Sequence, residues 1–162
     1  MKNYRVALPY ARALFELAEA EGGLDEFYKK FLETTDLVAR HPEISHLLMS
    51  TTIAREEKED FIEKVLPRGT SALLVNFLKV LIRKRRFQAL ELIGEKFQEF
   101  YEGRKGIRRV RVESAIPLDE ILQEKLRRAL EKRTKGEVIL EPVVNPEILG
   151  GKPCIKGTRI SV

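Results

Sequence analysis

The sequence is poor in the residues that build metal and redox chemistry. Its 162 residues include one cysteine, Cys154, two histidines, His41 and His46, and no tryptophan. A lone cysteine excludes an internal disulfide and any cysteine-based zinc cluster, and histidines five apart do not share one helical face. No metal and no cofactor are therefore expected. No run of apolar residues approaches the length needed to cross a bilayer, so no membrane insertion is expected either. The opening Met1-Lys2-Asn3-Tyr4-Arg5 leads straight into a helical pattern with acidic residues close behind, which fits neither a secretory signal nor an organellar transit peptide. The expectation is a bacterial chain that starts work in the cytosol.

What is present is a composition able to bury a core, with 43% hydrophobic and 34% charged residues. The net charge of +5 is unevenly placed. Residues 1–103 hold 16 basic and 17 acidic side chains, whereas residues 104–162 hold 14 basic and 8 acidic. That break, with a change of apolar period at the same place, predicts two domains, 1–103 and 104–162, joined by a short hinge around Gly103 to Gly106. The fold class expected is α+β, an N-terminal six-helix bundle followed by a small C-terminal α/β domain.

Apolar spacing and stop signals place six helices before Gly103. They run from about Tyr4 to Glu21, Leu24 to Arg40, Pro42 to Met49, Thr52 to Leu66, Thr70 or Ser71 to Lys84, and Phe87 to Glu102. Thr52 is the expected cap of the fourth. After Gly103, Ile107, Val110 and Val112 alternate with arginines as a strand does, and Val138-Ile139-Leu140 with Val143-Val144 read as a second. Leu118, Ile121, Leu122, Leu126, Ala129 and Leu130 form one stripe of a helix between them.

No catalytic constellation emerges, so a non-enzyme is expected. Gly22-Gly23 and Gly150-Gly151 lack the strand-to-helix context of a nucleotide loop, and Glu56-Glu57-Lys58-Glu59-Asp60 reads as a solvated helix face. Arg83-Lys84-Arg85-Arg86 closes a helix at the end where cations complement the dipole, and Arg108-Arg109-Val110-Arg111 alternates as a strand with one wet face. The alternative they leave open is a basic nucleic-acid-binding or antitoxin-type regulator centred on residues 104–162.

The informative anomaly is the width of two apolar faces. Projected at about 100° per residue, the fifth helix spreads apolar side chains over roughly 220° and the first over roughly 240°, against the 100° or somewhat more that a helix in a small bundle needs. An exposed groove between these helices would suit an incoming amphipathic helix, with small Ala13 beside Tyr10 and Val80 allowing close approach.

Three stretches, ALPYARALFELA, NFLKVLIRKRRFQALELIGEKFQEFYEGRKGIRRVRVESAIPL and EPVVNPEILGG, together resemble the δ subunit family of bacterial F-type ATP synthase, known in mitochondria as the oligomycin-sensitivity-conferring protein. They cover about residues 3–151 in order. The resemblance implies a non-catalytic peripheral-stalk subunit on the cytoplasmic face of the bacterial membrane, linking the catalytic head to the b subunits and resisting rotational torque. It implies that a groove between helices one and five receives the N-terminal helix of an α subunit, lined here by Tyr10, Ala13, Leu14, Leu17, Phe77, Val80 and Lys84. It also implies that the C-terminal domain meets the b subunits. After Gly151 the chain departs from the family pattern: residues 152–162, KPCIKGTRISV, replace an apolar strand, a turn and a terminal helix.

Overall fold

A computed structural model describes residues 4–148, together with the backbone of Cys154 and Ile155. The chain divides into two compact units, Met1–Tyr101 and Glu102–Val162.

The first unit is helical. Its elements are α1 Tyr4–Glu21, α2 Leu24–Arg40, α3 Pro42–Met49, α4 Arg55–Val65, α5 Ala72–Arg83, a turn of 3-10 helix at Phe87–Ala89, and α6 Leu90–Lys105, which runs across the unit boundary. All contribute to one apolar core. On α1 the core-facing stripe is small, with Ala7, Ala11 and Ala18 buried around Leu14, so neighbouring helices approach its axis closely. The space is filled by aromatic rings from α2 and α6. Phe97 is fully buried, its ring centroid 5.0 Å from Phe31 and 5.6 Å from both Phe15 and Phe27.

Helix boundaries follow the local chemistry. Ser71 caps α5, its Oγ accepting the Leu74 amide at 3.3 Å, while the Thr70 hydroxyl donates to the Pro67 carbonyl instead. Thr52 caps nothing. Its amide donates to Ser50 Oγ at 3.2 Å and the two hydroxyl oxygens lie 2.9 Å apart, so a local side-chain turn displaces the helix start to Arg55. Of the hinge expected around Gly103 to Gly106, residues 103–105 are helical, since α6 runs on through Arg104 and Lys105, whose charges complement its C-terminal dipole, and the chain turns at Gly106 with φ 72°.

The second unit carries β1 Arg108–Ser114, α7 Glu120–Thr134 and β2 Val138–Val144. β1 and β2 pair in parallel, from Arg108 opposite Val138 to Ser114 opposite Val144. β3, Cys154–Ile155, pairs antiparallel with the other edge of β1, giving the order β2-β1-β3. An edge position suits β2, which contains Pro142. The Asp119 carboxylate caps α7 by accepting the Leu122 amide at 2.6 Å. At the far end Gly136 is required, since a Cβ there would overlap the Gly106 carbonyl. The atypical segment 152–162 lies outside the described residues apart from that β3 backbone pairing. Among the described residues no helix is long and apolar enough to cross a membrane.

Candidate functional site: the face shared by α1 and α5

Helices α1 and α5 meet through an edge-on pair of rings, Tyr10 and Phe77, whose centroids are 6.3 Å apart at 70°. Tyr10 lies near Arg86, just past the carboxyl end of α5, whereas Ala18 shares a cavity wall with Ser71 at its amino end. The two helices are therefore antiparallel.

The seven residues expected at this groove do not occupy equivalent places. Leu17 is 53% exposed and Val80 38%, with Ala13 and Lys84 also exposed, while Tyr10 and Phe77 are half-buried. Leu14 is only 1% exposed. It lies in the middle of the buried alanine stripe and so belongs to the core beneath the groove rather than to its wall.

The opposite flank of the wide apolar arc of α1 is covered in part, at Phe15, while Leu8 stays 39% exposed. On the opposite flank Phe15 packs against Phe97 and Phe100, with centroids 5.6 and 5.8 Å away, and Tyr4 sits under Lys96, its Nζ 4.9 Å from the ring. Only the Tyr10, Ala13 and Leu17 flank faces outward beside α5. On α5 the buried side is Leu74, Leu78, Leu81 and Ile82, with Leu73 and Phe77 half-buried and Val80 exposed.

Arg86 was not among the expected groove residues. Its guanidinium carbon lies 5.7 Å from the Tyr10 ring centroid, and Nη1 donates to the Tyr10 hydroxyl at 3.3 Å. This holds the tyrosine over the groove end. The four residues of the basic run have separate roles. Arg83 makes a bidentate pair with Glu59 at 2.8 Å, Lys84 is the cap residue of α5, Arg85 turns the chain, and Arg86 orders Tyr10. The Arg83 guanidinium holds the Glu59 carboxyl below its usual range. Sequence periodicity could not separate these roles, because three of the four lie in or beyond the helix end, where angular position no longer predicts direction.

The second unit presents a different surface. Ile116, Ile121, Leu122 and Val144 are exposed. Ser114 pairs with Val144 in register, so Ile116 lies at the same end of the sheet as Val144, where α7 begins. The strand arginines are engaged: Arg109 binds Glu102 at 2.7 Å and Glu141 at 3.0 Å, and Arg111 lies 3.4 Å from Glu113. Hydrogen bonds from Arg109 to Glu102 raise its already high pKa further. Among the described residues no group of three His, Cys, Asp or Glu side chains is arranged to hold a metal ion.

Known proteins carry the same architecture. The family described as ATP synthase delta (OSCP) subunit matches residues 6–156. ATP synthase subunit delta of Myxococcus xanthus is 32% identical over 154 residues, 93% of this chain and 85% of the relative. The protein of the same name from Desulfitobacterium hafniense strain Y51 is 34% identical over 155 residues, 96% of this chain and 86% of the relative. A chain in the Toxoplasma gondii mitochondrial ATP synthase hexamer superposes with a TM-score of 0.72 at 18% identity, covering 96% of this chain and 88% of that one, which extends the likeness to the fold. The match spans both the helical unit and the strand-helix-strand unit, and the chain belongs to the ATP synthase delta (OSCP) family.

Proposed function

We propose that the outward flank of α1 and α5 receives one amphipathic helix, the N-terminus of an α subunit in the catalytic head, while the exposed apolar end of the second unit meets the b subunits. Family membership makes the chain a non-catalytic peripheral-stalk subunit of ATP synthase, and selects that reading over a nucleic-acid regulator. The single observation behind the groove assignment is that Ala13, Leu17 and Val80 stay exposed around the Tyr10 and Phe77 rings, which bring α1 and α5 together. Buried apolar area contributes roughly 25 cal/mol per Å², and a well-packed helix in such a groove leaves slowly. Slow release is what a stator needs, since rotation of the central stalk drags on the head. Lys84 and Arg86 at one end of the groove would set the direction of the bound helix by pairing with its acidic residues. In this reading the helical unit is a six-helix bundle dedicated to the head, and the complex sits on the cytoplasmic face of the membrane. The positive excess of residues 104–162 would steer an acidic stalk helix toward the second unit.

The test is an NMR titration of the full chain with a peptide of an α-subunit N-terminus. Tyr10, Ala13 and Val80 signals should shift and saturate, and Ala13→Asp should weaken binding while leaving the helical spectrum intact, because it places a charge on an apolar wall. Absence of any saturable shift at those residues would end the groove assignment.

A further inference from the structure

A separate cleft of about 300 Å³ opens on the helical unit between the α3 to α4 connection and the carboxyl end of α5. Its floor includes the buried Leu48, Ile82 and Phe87. Its rim is cationic, formed by Arg55, Lys58, Arg83 and Arg85 with the Ser50 and Thr51 hydroxyls, and no carboxylate lines it. Two of the four charges are balanced from outside the cleft: Arg83 by Glu59, and Arg55 by Glu56 at 3.1 Å. The other two are not. The Lys58 ammonium donates to the Ser50 carbonyl, and neither Lys58 nor Arg85 has a carboxylate partner among the described residues. Like charges gathered at one opening repel unless an anion joins them.

Arg85 has φ 54°, in the left-handed region, where it completes the end of α5: its amide donates to the Ile82 carbonyl at 3.0 Å and the Arg86 amide to Leu81 at 2.8 Å. Glycine is the usual residue at that position because it takes this conformation without strain. Here the position carries a long cation instead, as Lys135 does at φ 53° just past α7.

We propose that this cleft binds a phosphate group, carried by inorganic phosphate or pyrophosphate, or by a nucleotide whose base lies on the apolar floor. The site is distinct from the α1 and α5 groove and does not depend on it. Inorganic phosphate, pyrophosphate and ADP are titrated into the full chain at constant ionic strength, with chloride as the control, and amide shifts are followed by NMR. Saturable shifts at Ser50, Thr51, Lys58 and Arg85 are expected. Lys58→Gln and Arg85→Gly should each weaken binding about tenfold, the scale of one charge-assisted hydrogen bond. Lys132→Gln, an exposed change on α7, should leave binding unaltered. Arg85→Gly should also raise the melting temperature in anion-free buffer, so that its weaker binding cannot arise from unfolding. Tighter binding of ADP than of pyrophosphate assigns the floor to the base, and equal binding restricts the site to the phosphate. No saturable shift, shifts that chloride reproduces, or binding indifferent to both substitutions overturns the proposal.

Discussion

The helical unit and the strand-helix-strand unit are stabilised by different physics. In the first, buried apolar side chains come from α1 to α6 and the rings of Phe15, Phe27, Phe31 and Phe97 interlock. In the second, the buried apolar side chains among the described residues are Val112, Leu126 and Val138. Charge does more there: Arg109 bridges Glu102 and Glu141, and Arg127 bridges Glu124 and Glu131 at 2.7 and 2.6 Å. A domain that buries little area gains proportionally more from each polar contact. The two units also differ in charge, near neutral over residues 1–103 and basic over residues 104–162.

The sharpest way to test that contrast is to remove the central ring. Phe97→Ala should cost about 3–5 kcal/mol, enough to unfold much of the helical unit, measured by urea denaturation followed by circular dichroism. If the loss is under about 1 kcal/mol, packing is not what holds that unit. Next in size is Glu102→Gln, which removes the less exposed partner of Arg109. Because Arg109 is itself 38% exposed, the expected cost is discounted to about 1–2 kcal/mol. That loss should shrink in high salt, whereas the Phe97→Ala loss should not.

Helix caps give a matched pair of smaller effects. Ser71→Ala on α5 and Asp119→Ala on α7 should each cost about 1 kcal/mol, read from urea midpoints, and the second should also depend on salt since its cap is charged. The smallest effects are in pH. The Arg127 and Arg128 guanidiniums hydrogen-bond the Glu124 carboxylate and hold it down at about 2, so its contribution is present above the usual 4.5 and lost as pH falls toward 2. Tyr101 behaves oppositely: its hydroxyl donates to Asp25 at 2.6 Å, which pushes the phenol up to about 12, so its contribution is present below pH 10 and lost as pH rises toward 12. Melting temperature against pH should therefore show an acid limb that Glu124→Gln flattens and an alkaline limb that Tyr101→Phe flattens. An unchanged profile in either variant removes that side of the contrast.

Much of the architecture is legible in the residues. Gly22-Gly23 and Pro42 mark the ends of α1 and α2, and the spacing of apolar residues sets α1, α2 and α3 at their observed limits. The start of α4 is not legible in the same way, because two hydroxyl residues, Ser50 and Thr52, satisfy each other before either can cap the helix. The groove is half legible. Periodicity places Tyr10, Ala13 and Leu17 on one side of α1 and Leu14 with Ala11 and Ala18 on the other, so it is the resemblance and not the spacing that puts Leu14 in the groove, and neither brings Arg86 onto Tyr10.

The linear order of residues determined the helices, the change to strands after residue 106, the division of charge, and the surplus apolar arcs of α1 and α5, since each depends on neighbours within a few turns of chain. Only the tertiary structure decided which apolar side chains of the α1 arc are covered. Phe97 and Phe100 pack on Phe15 from more than eighty residues away while Leu8, Ala13 and Leu17 stay exposed, and local periodicity carries no information about which distant element takes which side chain.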